Sequence, residues 1–483
     1  MKIGIIGAGI AGIAAAIRMA ARGYEVEVFE ANDYPGGKLS AFELEGYRFD
    51  AGPSLFTMPQ YVEDLFRVAG ERMEDHFRYE TIPVTCRYFW RDGTRIKAWA
   101  KLPDFAREVE QVLGVPAPKV EAFLDKSRRK YELAGQIFLE KSLHRADTWL
   151  NMRALKALFR LPFFDLFSSM HAVHKQWFGH PKLVQLFDRF ATYNGSNPYK
   201  APGMLTIIPH FEHNIGVFYP EGGMHRITMS LYELSLRQGV KYHFNTPVSE
   251  ILTENNQVRG LKSAKATHDF DRVISNMDVF YTYRKLLPNT PAPERILAQP
   301  KSTSALIFYW GIRRSFPDLD LHNIFFSEDY ASEFSTLEAG GVISDPTVYI
   351  NITSKYTPSD APEGCENWFV MVNAPSDKGQ DWEQLIAEIR RNVIDKLNVI
   401  LGTDIDPLIS YESVLDPRGI ERNTSSHQGA LYGYSSNTQM AAFLRHPNFS
   451  RRLAGLYFVG GSVHPGGGIP LCLLSAKIAA EQV

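Results

Sequence analysis

Cysteine is nearly absent from this 483-residue chain. The three that occur, Cys86, Cys365 and Cys472, are far apart and odd in number, which argues against a disulfide framework or a zinc site and for a reducing compartment. An excess of one charge is missing as well. The 52 Lys and Arg stand against 54 Asp and Glu, a net charge of -2, so the basic footprint of a nucleic-acid binder is not there. No apolar run reaches the roughly 20 residues that a bilayer-spanning helix needs. Glycine is scarce from about Asp104 to Trp177, where the chain reads as mostly helical. What remains, 45% hydrophobic and 22% charged residues, is an ordinary globular composition with chain enough for two domains.

Glycine concentrates instead near the two ends. Lys2 to Ile6 suits a short buried parallel strand, and Gly7-Ala8-Gly9-Ile10-Ala11-Gly12 follows it. In such a fingerprint Gly7 permits the tight turn, Gly9 lets backbone approach a pyrophosphate, and Gly12 allows close helix-sheet packing. The alanine-rich helix beyond is expected to end near Arg22 with Gly23 as its cap, and its N-terminal amides face phosphate. Glu25 to Glu30 alternates as a strand, and Glu30 lies about twenty residues on, where a carboxylate accepts from ribose hydroxyls and disfavours NADP. The Ala14 to Ala16 stretch has signal-peptide spacing, but the spaced glycines and the strand ending in Glu30 point to a mature chain starting at Met1.

Further turn-rich segments repeat the theme. Gly36-Gly37-Lys38 places a cation on glycine-shaped backbone, suited to offsetting phosphate charge, and Gly52-Pro53-Ser54 offers backbone to a flat ring system. At the other end stand Gly460-Gly461 and Pro465-Gly466-Gly467-Gly468-Ile469-Pro470, so one flavin gripped by both termini is expected. Between them, Arg87 to Ala98 reads as a hairpin with a type I' turn at Asp92-Gly93. A helix to about Gln238 follows Gly222-Gly223, and then strand, turn and strand over Gly239 to Ile251, with Val248 a candidate for pairing its backbone with adenine. Asp271 to Asn276 is a buried strand ending in a polar residue, as cofactor-facing strands do. Thr303 to Ile312, Val348 to Thr353 and Trp368 to Asn373 would form a second sheet.

Taken in order, the Gly7 to Glu30 stretch, Gly36-Gly37-Lys38, Gly216 to Gly223, Ser275 to Asp278 and His464 to Pro470 resemble the bacterial carotenoid desaturase family of flavoproteins. The resemblance implies an α/β fold: a Rossmann-type FAD-binding domain, glutathione reductase-like, over residues 1–85, 215–285 and 420–483. An α+β substrate domain over 86–214 and 286–419, with a helical membrane-facing part, interrupts it. It also implies noncovalent FAD held by Gly7, Gly9, Ala11, Gly12, Glu30, Gly37, Lys38, Gly52, Pro53, Ser54, Val248, Asn276, Gly461, Gly468, Ile469 and Pro470, and a polyene substrate drawn from the bilayer. No metal ligands are expected.

Family chemistry would run by hydride loss from an allylic carbon to flavin N5, since the cation left behind spreads along the polyene; the protein supplies alignment and a dry tunnel. Few protein acids or bases are then needed. Glu212, which matches a glutamate of the family pattern, and His213 are the candidates for proton acceptor or steering charge, with a structural ion pair as the alternative for Glu212. His464 is read as a hydrogen-bonded loop residue and Cys472 as packing at a helix start. Leu471 stands where many phytoene desaturases carry glycine, which favours an enzyme acting once, as a 3,4-desaturase, at a hydroxylated carotenoid end. The alternatives are a phytoene desaturase, a flavin amine oxidase, or a non-enzymatic binder of lipids or prenyl groups.

One segment bears on location. Met152, Leu155, Phe159, Phe163, Leu166 and Met170 fall at helical spacing, with Arg153, Lys156 and Arg160 on another face and Pro162 bending the helix. This suits an interfacial helix, and residues near 150–178 are expected to attach a cytoplasmic protein peripherally to the inner face of the cell membrane.

Overall fold

The computed structural model describes residues 1–149, 161–439, 441 and 445–483. Its organising element is a five-stranded parallel sheet in the order Leu456–Phe458, Arg272–Ser275, Lys2–Ile6, Glu25–Phe29, Lys241–His243. Covered on both faces, such strands need continuous apolar runs, and Ile3, Ile5, Val28, Val273 and Ile274 are all fully buried. The first helix, Ile10–Ala20, packs on this sheet and on the last helix, Ile469–Ala480, so the alanines of both allow close approach. Sequence reading separates two strands between Gly239 and Ile251 without showing that they part company. Lys241–His243 closes the parallel sheet, whereas Val248–Glu254 opens a three-stranded antiparallel one.

A seven-stranded mixed sheet forms the second layer, in the order Ile409–Leu415, Ser304–Ile312, Glu366–Ala374, Val348–Ile352, His322–Phe325, Val84–Phe89, Arg95–Trp99. The three strands expected there are its centre. Helices Leu102–Leu113, Ala117–Lys130, Met170–Phe178 and Pro181–Asp188 share a core with its last two strands, through Phe105, Phe123, Phe187 and Ile96. The hairpin between those strands lacks the expected type I' turn. That turn needs positive φ at both central residues, and only Gly93 has it. Gly93 N–H donates to the Trp90 carbonyl at 3.1 Å and Trp90 N–H to Thr94 at 3.0 Å, a wider turn with one left-handed glycine.

The proposed interfacial helix is revised where it can be followed. Met152, Arg153, Leu155, Lys156, Phe159 and Arg160 lie outside the described residues. Phe163, Leu166 and Met170 do not share a lipid-facing stripe. Leu161–Phe164 is a single 3₁₀ turn, Asp165 has φ +51, and Met170 begins a new helix capped by Ser169. Met170 is fully buried, and Phe163 packs on Phe164. Asp165 holds the break open because its carboxylate accepts from Lys126 and Lys130 at 2.8 and 2.7 Å.

Candidate active site

Parallel register sets the site. Ile6 pairs with Phe29 and Ser275, and Ser275 with Phe458, so Gly7, Glu30, Asn276 and the Val459-Gly460 segment leave the sheet at one edge. Carboxyl ends of parallel strands are where doubly wound proteins bind their ligands. Asn276 joins the loops there. Its backbone N–H donates to Ile6 at 2.8 Å, and its side chain fills the space beside glycines from both chain ends. A Cβ on Gly9 would stand 2.6 Å from Asn276 Nδ2, and one on Gly460 2.9 Å from Oδ1. Gly12 is a packing residue: a Cβ there would come 2.1 Å from the Gly7 carbonyl oxygen. Gly36 N–H donates to Ala8 at 2.8 Å, which lays Gly37 against Gly9, and a Cβ on Gly52 would meet the Lys38 carbonyl at 2.0 Å.

These loops open onto a cavity of about 980 Å³. Gly7, Gly9, Ala11, Glu30, Gly37, Lys38, Gly52, Pro53, Ser54, Val248, Asn276, Gly461, Gly468, Ile469 and Pro470 all line it, while Gly12 sits behind the wall. The donor set fits a flavin dinucleotide. Two helix N-termini reach the cavity, at Gly9 and at Gly468, and neither has a side-chain cap, so their first-turn amides are left for an anionic or carbonyl ligand. A Cβ on Gly468 would meet nothing within 4 Å, which marks open space beside that backbone. The Glu30 carboxylate accepts from Ala8 N–H at 2.7 Å and Asn32 N–H at 2.9 Å, fixing its orientation with lone pairs to spare for ribose hydroxyls.

Three expectations change. The Lys38 ammonium donates to the backbone carbonyls of Leu431 at 3.0 Å and Ala430 at 3.3 Å, so it ties the second glycine loop to the 430–431 segment instead of standing free for phosphate. Burial lowers its pKa. His213 does not line the cavity; it is stacked on Phe105 at 4.5 Å, near Phe187 and Phe190, and burial pushes it down to about 4. It is a neutral core ring. Glu212 does line the cavity, but as half of a buried ion pair. Arg189 Nη2 donates to its two oxygens at 2.8 and 3.0 Å, and the Tyr193 hydroxyl donates at 2.6 Å. Burial alone would raise this carboxyl, yet the Arg189 charge and the Tyr193 hydrogen bond hold it below the ordinary range. His464 Nε2 meets the Lys141 carbonyl at 2.8 Å, as a loop histidine should.

Other lining residues escape sequence reading. Arg189, Tyr193, His322, Tyr349 and Arg445 all face the cavity. The available signal is polar side chains inside apolar strands, as at His322 and Tyr349, but only strand register shows that these two meet.

Fold and site together define a class, and the chain belongs to it: the family of flavin containing amine oxidoreductases, whose model matches residues 10–483. Within that class it belongs with the carotenoid desaturases. Over 480 residues it is 52% identical to the 1-hydroxycarotenoid 3,4-desaturase of a Flavobacterium species, covering 99% of this chain and 98% of that one. Against the 4,4'-diaponeurosporene oxygenase of Staphylococcus haemolyticus the identity is 31%, over 100% and 97% of the two chains. An oxidoreductase of known structure from Methanosarcina mazei shares the fold, with a TM-score of 0.64 and 17% identity over 100% of both chains. The protein is an FAD-dependent oxidoreductase of the expected α/β fold.

Proposed function

We propose that the protein introduces the 3,4 double bond next to the hydroxylated end of a carotenoid. The observation that carries this is one cavity joining the glycine loops of both chain ends to a wall rich in Phe138, Trp149, Leu166, Phe211, Phe369 and Met371. Gly7, Gly9, Ala11, Glu30, Gly37, Gly52, Pro53, Ser54, Val248, Asn276, Gly461, Gly468, Ile469 and Pro470 would hold FAD, with Gly12 and Lys38 supporting the loops. When bound, the flavin would accept the hydride leaving the allylic carbon, and the adjacent carbon would release a proton to solvent, so that the two hydrogens lost balance the double bond formed. The chain's own task is to align the polyene and exclude water. Glu212 also neutralises Arg189 within that wall, beside a polyene that becomes electron-poor in the reaction. Of the roles open to Glu212, this charge-balancing one fits its hydrogen bonds from Arg189 and Tyr193 better than proton uptake.

Residues 1–85, 215–285 and 420–483 would then form the FAD-binding domain and 86–214 with 286–419 the substrate domain. A carotenoid must be collected from lipid, so we place the protein peripherally on the inner face of the cell membrane. No described helix is long and apolar enough to cross a bilayer. Phe167 is 87% exposed, one residue beyond Leu166 in the cavity wall, and supports contact near the mouth. The test is product analysis with micellar 1-hydroxycarotenoid, phytoene and putrescine offered in parallel. A chromophore lengthened by one double bond from the first alone is expected. Turnover of phytoene alone or of the amine alone would replace this reading, and a colourless protein after FAD addition would leave only a binding role.

A further inference from the structure

One face of the seven-stranded sheet forms part of the cavity wall, and side chains two apart along its strands, such as Phe369 and Met371, reach it as the pleat requires. Most of that face is apolar. His322 and Tyr349 interrupt it, and both lie on the cavity. His322 is 2% exposed, and its Nδ1 stands 2.7 Å from the Tyr349 hydroxyl and 3.3 Å from Asn351 Nδ2. The Asn351 orientation is settled by the Leu321 carbonyl, which can only accept and lies 2.9 Å from the same amide nitrogen. An amide donor, Asn351 Nδ2, therefore faces His322 Nδ1, which then carries the lone pair and accepts from the Tyr349 hydroxyl too, with the ring proton on Nε2. Burial keeps the imidazole neutral. Nε2 is buried and has no hydrogen-bond partner among the described residues. A buried donor without a partner is an uncommon feature that calls for a cause.

We propose that His322 Nε2–H receives the hydroxyl oxygen of the substrate's end group and so selects a hydroxylated carotenoid over its plain hydrocarbon counterpart. This rests on the function proposed above and adds the residue that reads the substrate. Placement supports it. The Tyr349 hydroxyl that holds His322 also lies 2.7 Å from Ser54 Oγ, in the Gly52-Pro53-Ser54 loop. In a 1-hydroxycarotenoid the oxygen-bearing carbon is two bonds from the nearer carbon of the 3,4 bond, so an anchor at His322 keeps the reacting bond beside that loop. An end group without oxygen leaves Nε2–H buried and unsatisfied, and a site built to hydrogen-bond a hydroxyl discriminates strongly against analogues lacking it.

The holoenzyme is assayed with the 1-hydroxycarotenoid and its unhydroxylated parent in the same micelles, as wild type, His322→Phe, His322→Gln and Tyr349→Phe, each matched for bound flavin. Binding of the desaturated product, which cannot react again at that bond, gives a readout independent of turnover. For His322→Phe we expect the preference for the hydroxylated substrate to fall by on the order of tenfold or more, through loss on that substrate alone, with a matching loss of product affinity. His322→Gln, which keeps an N–H donor, should restore part of it. Tyr349→Phe, which frees the ring to change tautomer, should weaken it with the histidine still in place. Unchanged preference in both His322→Phe and Tyr349→Phe, or equal losses on both substrates, would overturn the assignment while leaving the proposed function intact. Failure of the wild type to desaturate either carotenoid would bring down the functional reading itself.

Discussion

Replacing Arg189 with methionine isolates the main polar interaction in the cavity wall. The guanidinium donates to Glu212 through Nη2, to the Tyr88 hydroxyl through Nε at 2.9 Å and to the Tyr193 hydroxyl through Nη1 at 2.8 Å, and it stacks 4.2 Å from the Phe190 ring centre. Side chains of Arg189 and Glu212 are 5% and 1% exposed, so water cannot take over the lost contacts. Breaking a buried pair from one side costs about 3–5 kcal/mol, mostly because the other charge is stranded. The pH dependence identifies the cause. In the wild type the Glu212 pKa is depressed, so its contribution is present above the ordinary carboxylate range and is lost as pH falls through the lower folded value. Without Arg189, burial dominates and the pKa rises. The penalty should then be full at about pH 8 and much smaller near pH 5, where Glu212 takes up a proton instead. Urea midpoints of the holoenzyme at both values, with Arg189→Met/Glu212→Gln alongside, provide the assay. The double variant should recover much of the loss at the higher pH. An equal penalty at both pH values, with no recovery in the double variant, would refute the stranded-charge argument.

Other consequences can be checked as directly. Gly12→Ala puts a Cβ 2.1 Å from the Gly7 carbonyl, so the first loop must shift. The variant should fold with normal far-UV dichroism but bind FAD at least about tenfold more weakly, read by flavin fluorescence titration; wild-type affinity would contradict the loop account. Glu212→Gln should lower stability yet leave kcat within about tenfold, whereas a proton acceptor would lose roughly 100-fold or more. Burial pushes His213, His322 and His446 down to about 4 and His464 to about 3. The unfolded rings bind protons below about pH 6.5 while the folded ones do not, so stability is full above that pH and falls as pH drops toward 4, by up to about 1.4 kcal/mol per unit per ring. Urea midpoints that stay flat over that window would show the rings to be protonated in the folded state.

How much of this could be read from the residues divides along a physical line. Gly7 to Gly12, Glu30 and the terminal glycine loop were legible because local backbone demands dictate glycine there, and strand alternation marked the centres of both sheets. Contacts set by tertiary register were not. Arg189 meets Glu212 only because two helical segments pack together, and the Lys38 partners at 430–431 lie almost four hundred residues away in a segment without a motif. The Asp92-Gly93 dipeptide is compatible with more than one hairpin geometry, and only the φ of Asp92 separates them. Along 163–170, helical periodicity continued through a real break, since the Lys126 and Lys130 bonds that stabilise Asp165 are nonlocal.

The most direct trial of the central claim, that head and tail loops hold a flavin against a carotenoid tunnel, is an anaerobic single turnover. Holoenzyme is mixed with excess 1-hydroxycarotenoid in micelles, and flavin absorbance and carotenoid spectrum are followed together. The account expects oxidised flavin to bleach in step with the appearance of one new conjugated double bond per flavin. Flavin that stays oxidised while the carotenoid is unchanged, or that bleaches only with an amine, would contradict it.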